Sequence, residues 1–306
     1  MARELGIDDV YFVGSDERGF RRPPFNYPAQ LFRTVGVLLR RKPRVVFVQS
    51  PPTYAAWTIA LYCAVTGAAF VIDAHSDAFL RARWTRPAFL TRFVARRALV
   101  TIVTNQHWAD RVRSWGAEAM TIPTIPTDLV IGQPPAMQPG INVAVVNTWA
   151  ADEPLDEVLA AAEELPRISF FVTGRSDRVT ALGPKVPSNV SFTGFLSQAD
   201  YHGLLAASDA VVCLTTRDHT MQNGACEAMF LGTPILTSDW PVLREYFSEG
   251  AVYVDNTAVG IRDGLRDLTS SIETYRRNVG EVRVRRQHEW EESRQALIER
   301  VDARLG

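Results

Sequence analysis

Cysteine is scarce in this chain of 306 residues: Cys63, Cys213 and Cys226 lie far apart, two of them inside apolar runs. That spacing gives no support to a disulfide framework or a zinc site, and it suits buried thiols in a reducing compartment. A secretory leader is not expected, because Met1-Ala-Arg-Glu-Leu runs straight into charged sequence. One stretch, Val45 to Ile72, has no charge at all and has the length of a bilayer span. Pro51-Pro52 and Gly67 cut it into strand, helix and strand, the punctuation expected of a βαβ unit rather than of a membrane helix. No internal repeat of sequence is visible.

What is present points to a globular enzyme-sized protein. The chain is 46% hydrophobic and 22% charged, as soluble folded proteins are, and its length exceeds one comfortable core, so two domains are expected. The net charge of −1 conceals an asymmetry: residues 1–125 hold 16 Arg and 1 Lys against 6 Asp and 3 Glu, a balance of +8 that leaves −9 for the rest. A basic front half is suited to an anionic partner or a membrane face.

Apolar, β-branched runs alternate with amphipathic ones along both halves. In the first, strands are expected at Asp9–Val13, Val45–Gln49, Ala68–Ile72, Leu99–Thr104 and Met120–Ile122, and helices at about Pro28–Arg41, Thr53–Thr66, Pro87–Ala98 and His107–Trp115. Strands apolar throughout and separated by helices imply a parallel sheet covered on both faces. Pro123 to Gly140 holds five prolines and almost no periodicity, the composition of a linker. The pattern then restarts with strands at Ile141–Val146, Ile168–Thr173, Val190–Thr193 and Ala210–Thr215, and helices at Leu155–Glu164 and Gln198–Ala207. The last 50 residues read as charge-laced helix with Trp290, Leu297, Ile298 and Val301 on one stripe. The expected organisation is a Rossmann-like domain over 1–125, a linker over 126–140, a second Rossmann-like domain over 141–285, and a helix over 286–306 packing back toward the first domain. Two doubly wound α/β domains of this kind hold a ligand cleft between the carboxyl ends of their sheets.

The most informative stretch is T-M-Q-N-G-A-C-E-A-M-F-L-G-T-P-I-L-T-S-D-W, Thr220 to Trp240. It reads as a polar loop after a strand, a short helix opening near Asn223-Gly224 and closing at Gly232, and a further strand at Pro234–Thr237. Unpaired amides at a helix N-terminus form an anion site, and Gly224, Ala225 and Ala228 are small enough for a ligand to approach that backbone. Glu227, one turn in, suits sugar hydroxyls rather than phosphate. A diphosphate at the helix tip with its ribose on Glu227 is therefore expected; the alternative is an ordinary crossover with a solvated Glu227.

The strand-end His75, the stretch N-V-S-F-T-G-F-L, the block G-A-C-E-A-M-F-L-G-T-P-I-L-T-S-D-W and the late Trp290 follow one another in an order that resembles the GT-B glycosyltransferases. The likeness is to the retaining kind grouped as family 4, and is greatest from Asn189 to Asp255. It implies that Glu227 is similar to the second glutamate of the family's Glu-x7-Glu motif, which binds the donor ribose. Asn223, Gly224 and Ala225 then stand where helix-tip amides hold the donor diphosphate, and Phe195 and Leu196 resemble the segment lining the base. His75 resembles the family histidine that approaches the reacting sugar. The absence of any Asp-x-Asp triplet argues against a metal-chelated diphosphate, so no metal and no cofactor beyond the nucleotide-sugar donor is expected.

Three departures accompany the resemblance. The position eight before Glu227 is His219, not glutamate, with Asp218 beside it; either Asp218 takes over contact with the transferred sugar, or donor choice differs. The segment V-V-N-T-W-A-A-D-E-P lacks the usual diphosphate-binding arginine, leaving Arg175 and Arg217 as substitutes by location. The chain also opens where the family's first helix ends, so the first strand of that domain is expected to be missing, or to lie upstream.

Retaining transfer lets the leaving diphosphate receive the acceptor proton while the protein positions groups and stabilises charge; an inverting reaction would need a base, with Asp73 and Asp77 the candidates. The Arg81–Arg97 segment mixes cations with Trp84, Phe89, Leu90 and Phe93. It suits peripheral docking on an anionic membrane, or else a helix burying Phe89, Leu90 and Phe93 while its arginines face water. Nucleic acid is not expected, since no recognition motif accompanies the patch. The reading is a nucleotide-sugar-dependent glycosyltransferase of hexosyltransferase type that extends a polysaccharide or glycolipid of the cell envelope. It is expected in the cytoplasm, peripheral on the inner membrane face. A non-catalytic subunit supporting an active glycosyltransferase is the alternative, and a sugar-nucleotide epimerase of the same architecture would need more cleft carboxylates than the chain supplies.

Overall fold

The computed structural model describes residues 5–7, 9–11, 26–125, 129–174 and 186–306. Two compact units divide the chain: Met1–Pro123 together with Trp290–Gly306, and Thr124–Glu289. Both are α/β with a wholly parallel sheet.

In the first unit, α1 (Asn26–Arg41) leads into β1 (Val45–Ser50), α2 (Thr53–Thr66) and β2 (Ala69–Ala74). Short helices α3 (Asp77–Leu80), α4 (Ala82–Thr85) and α5 (Ala88–Ala95) precede β3 (Val100–Val103), α6 (Gln106–Arg113) and β4 (Ala119–Thr121). The sheet order is β1-β2-β3-β4. All four residues of β3 are buried, as expected of a strand covered on both faces. α2 starts after Pro52 and ends at Gly67, whose left-handed φ of 78° returns its amide to the Cys63 carbonyl, a glycine cap. Of the expected strand at 9–13, residues 9–11 carry no strand, and 12–13 lie outside the described residues.

The second unit contains β5 (Ile141–Val145), α7 (Leu155–Glu163), β6 (Ile168–Thr173), β7 (Val190–Gly194), α8 (Gln198–Ala207) and β8 (Ala210–Cys213). There follow α9 (Asn223–Leu231), β9 (Ile235–Ser238), α10 (Pro241–Phe247), β10 (Ala251–Val254), α11 (Ala258–Ser270) and the long α12 (Ile272–Leu305). Its sheet runs β10-β9-β8-β5-β6-β7. Strand alternation sorts the core into two layers: Val143, Val145, Phe170, Val172 and Val212 face α7 and α11, while Ala144, Phe171, Val211 and Cys213 face α8, α9 and α10. This is the period of two that a pleated strand imposes. Each large side chain so buried contributes on the order of 1.5–3 kcal/mol.

The strand order changes direction at β5: β6 and β7 lie on one side, β8, β9 and β10 on the other. The loops after β5 and β8 must diverge there, and a crevice opens at the carboxyl end of the sheet. α12 carries Trp290 and Leu297, both buried, in its last 16 residues, which belong to the first unit.

Candidate functional site

The crevice at the β5/β8 switch point is bounded by the loop after β5, residues 146–154, by the loop after β8, residues 214–222, and by the tip of α9. No side chain caps α9, and Gln222 at its N-cap accepts from the Thr237 hydroxyl at 2.8 Å instead. Asn223 at the tip is exposed, but Gly224, Ala225 and Ala228 are buried. The small residues pack closely against their neighbours at the tip. A Cβ on Gly224 would stand 2.7 Å from Val146 Cγ1 and 3.0 Å from Tyr201 Oη. The Ala225 amide is directed at the Cys213 sulfur, which partly offsets the burial that pushes this thiol up to about 12. Ala225 therefore belongs to the wall of the site more than to its anion cradle.

Glu227 is half-buried and held from α8. Tyr201 Oη donates to its Oε2 at 3.0 Å, and Nε2 of the buried His202 lies 3.9 Å from Oε1. His202 Nδ1 meets the Val130 carbonyl at 3.2 Å, which places a proton on that nitrogen and turns Nε2 toward the carboxylate. Burial raises the Glu227 pKa, while Tyr201 and then His202 pull it back. The carboxylate is thus aimed rather than solvated. Neither Tyr201 nor His202 was anticipated; the signal available was a Tyr-His pair on the helix preceding the strand of the motif.

The loop after β8 is clamped at Thr215. Its amide donates to Ser238 Oγ at 2.8 Å, its carbonyl accepts from Trp240 Nε1 at 2.9 Å and Asn256 Nδ2 at 3.1 Å, and its hydroxyl donates to Asp152 Oδ2 at 2.9 Å. Asp152 also stands 3.1 Å from the Arg217 guanidinium. Next to it, Glu153 accepts from the amides of Thr148 and Ala150 and from the Thr148 hydroxyl. The only cation expected here that falls within the described residues is therefore already engaged by a carboxylate. Arg175 lies outside the described residues. Asp218 and His219 form their own pair, with Nε2 to Oδ2 at 3.4 Å and the His219 amide on Asp218 Oδ1 at 2.6 Å, and His219 adopts a left-handed φ of 57°. That conformation costs a non-glycine residue energy and is retained where surroundings impose it.

Phe195 and Leu196 follow β7 and part company: Leu196 packs against the α8/α9 layer, while Phe195 is 90% exposed. A ring so placed is available for stacking.

His75 belongs to the first unit, one residue past β2. The β1/β2 register sets Gln49 opposite Asp73, and both meet the imidazole: Gln49 Nε2 at 3.2 Å and Asp73 Oδ2 at 3.7 Å from Nε2. The nearby Asp73 carboxylate raises the His75 pKa against partial burial. A charged ring needs an acceptor at Nε2, so the Gln49 amide must then present Oε1 instead of Nε2. Asp77, the other carboxylate of that loop, pairs with Arg81 at 2.8 Å.

Comparison with known proteins was made on sequence and on fold. Residues 142–275 match the family model described as glycosyl transferases group 1, and residues 3–128 match that of the glycosyl transferase 4-like domain. No curated protein matches in sequence. Among solved structures, sucrose-phosphate synthase from Thermosynechococcus elongatus is similar at 16% identity and a TM-score of 0.71, over 92% of this chain and 79% of that one. Anabaena HepE in complex with UDP and glucose is similar at 14% identity and a TM-score of 0.69, over 90% of this chain and 82% of that one. A UDP-forming α,α-trehalose-phosphate synthase from Burkholderia xenovorans gives 12% identity and a TM-score of 0.66, over 94% and 81%.

Proposed function

Since this chain belongs to the group 1 glycosyltransferases and has the GT-B fold, we propose that it moves a hexose, with retention, from a UDP-sugar to a hydroxyl of a polysaccharide or glycolipid acceptor. The observation that carries the donor assignment is Glu227 oriented by Tyr201 beside an uncapped helix tip at the switch point. In this reading the amides at the tip, with Asn223 exposed there, take the diphosphate, Glu227 accepts from the ribose hydroxyls, and Phe195 stacks on the base. The UDP in the Anabaena HepE structure supports uracil as that base. His75, held by Asp73 and Gln49, is the group offered to the transferred sugar, and Asp218 with His219 completes the sugar side. The leaving diphosphate accepts the acceptor proton, so the protein supplies position and charge stabilisation.

Calorimetric titration with UDP, GDP and ADP tests the donor assignment. Wild-type protein should bind UDP, and Glu227→Ala should lose that binding while keeping its fold by circular dichroism. Unaltered UDP affinity in the variant would remove Glu227 from the site.

The engagement of Arg217 by a carboxylate favours a second reading. With Arg217 on Asp152 and Asp218 on His219, the chain could bind nucleotide without transferring sugar, as a subunit supporting an active glycosyltransferase. UDP binding with no release of UDP from UDP-sugars over a broad acceptor panel would select it.

The acceptor is proposed to be met at an anionic membrane face, with the protein peripheral on its cytoplasmic side. Phe89 is 74% and Phe93 48% exposed, Arg97 lies 3.5 Å over the Phe93 ring, and only Leu90 of the three packs into the core. The arrangement favours docking over the self-burying helix. No helix among the described residues is long and apolar enough to cross a membrane.

A further inference from the structure

The strand-start edge of the first unit carries a cationic feature that the donor site does not use. Because Val45 pairs with Ala69, the end of α1, the end of α2 and the last turn of α12 converge at that edge. A cavity of about 440 Å³ opens there, walled by Leu39 and Tyr62 and lined by Lys42, Arg44 and Arg304, with no carboxylate in its lining. Arg44 donates to the Leu305 carbonyl, and Arg304 Nη2 reaches the Gly67 carbonyl at 3.4 Å. A neutral carbonyl fixes each guanidinium in place without cancelling its charge. Arg40 and Arg41 close α1 just above. Of the carboxylates on the surrounding elements, Glu118 is taken by Arg300 at 3.2 Å, and Asp302 lies two residues before Arg304 on α12.

The helix ends that meet here are all carboxyl ends, each with roughly half a negative charge, so three cations exceed what those ends offset and leave a positive field that attracts an anion. Two guanidinium forks and an ammonium match the oxygens of a phosphate. The volume exceeds that of inorganic phosphate and falls in the range of small-ligand sites, roughly 300–1,000 Å³, which leaves room for a body attached to the phosphate. The lining includes an apolar side chain open to solvent, Leu39 at 59% exposure.

We propose that the cavity between the ends of α1, α2 and α12 binds a phosphate group carried on an apolar or sugar body, through Lys42, Arg44 and Arg304. The site is separate from the switch-point crevice of the second unit and stands whether or not the donor assignment does.

The test uses the full chain with two probes: phenyl phosphate by calorimetry, and co-flotation with phosphatidylcholine vesicles that do or do not contain phosphatidic acid. The wild-type protein should bind at least one probe. Binding of phenyl phosphate identifies a soluble phosphorylated ligand, and acidic-vesicle binding that the cavity substitutions remove, with no binding of phenyl phosphate, identifies a lipid headgroup. Combined Lys42→Ala, Arg44→Ala and Arg304→Ala should weaken that binding by roughly tenfold or more, the scale of losing several charge-assisted contacts, with UDP affinity unchanged. Should the combined variant fail to fold, Lys42→Ala decides alone, since it leaves both carbonyl contacts intact. The proposal is overturned if neither probe binds, if the cavity variants bind as the wild type does, or if Arg111→Ala, outside both the cavity and the Arg81–Arg97 face, weakens binding as much.

Discussion

Glu227 is a carboxylate whose ionisation burial opposes and whose neighbours partly restore it. Its pKa in the folded chain lies above the ordinary carboxylate value, so the fold holds the proton more tightly than the unfolded chain does. Stability from this group is therefore lost as pH rises through the raised pKa and regained below it. Ligand binding runs the other way, because ribose hydroxyls donate to the ionised form. UDP affinity should fall as pH drops through that pKa. Tyr201→Phe removes the donor to Oε2 and should move the midpoint of that fall to higher pH; calorimetry across a pH series reads it, and an unmoved midpoint would show that Tyr201 does not act through Glu227. A second residue-scale contest lies at Asp152, which competes with any diphosphate for Arg217. Asp152→Asn keeps an acceptor for the Thr215 hydroxyl and removes the charge. UDP affinity should rise by roughly twofold to fivefold, the scale of a partly exposed ion pair. No gain would mean that Arg217 does not reach the diphosphate.

At the scale of elements, α9 works because it lies close to β5 and α8. Gly224 allows Val146 and Tyr201 to approach its backbone, so the helix tip and the Glu227 orientation depend on the same contact. Gly224→Ala should cost about 1–3 kcal/mol by overpacking and displace Tyr201, weakening UDP binding as well. Urea denaturation and calorimetry measure the two losses, and a destabilised variant with wild-type affinity would uncouple them. The sequence motif located this helix from Asn223 to its glycine end correctly, since both ends are local signals. α10 and β10 were not anticipated: seven and four residues are too few to establish a period against their surroundings.

At the scale of the molecule, α12 belongs to both units. Leu297, fully buried, lies in the segment assigned to the first. Leu297→Ala should cost about 2–5 kcal/mol, and the loss should be confined to the first unit. Amide hydrogen exchange is the measure: protection should fall in Val100–Val103 and hold in Ile235–Ser238, and an equal fall in both would refute the confinement. The doubly wound α/β class and the helix-tip motif were legible because apolar period, prolines and glycine stops act within a few residues of one another. Local pattern is enough for these strands and helices, and for Glu227 one turn inside α9. It carries no sign of Tyr201 on that carboxylate, of Asp152 on Arg217, of Val146 and Tyr201 closing on Gly224, or of Lys42, Arg44 and Arg304 in one cavity. Such contacts join residues far apart in the chain, and sheet order, which no local pattern encodes, determines which of them meet.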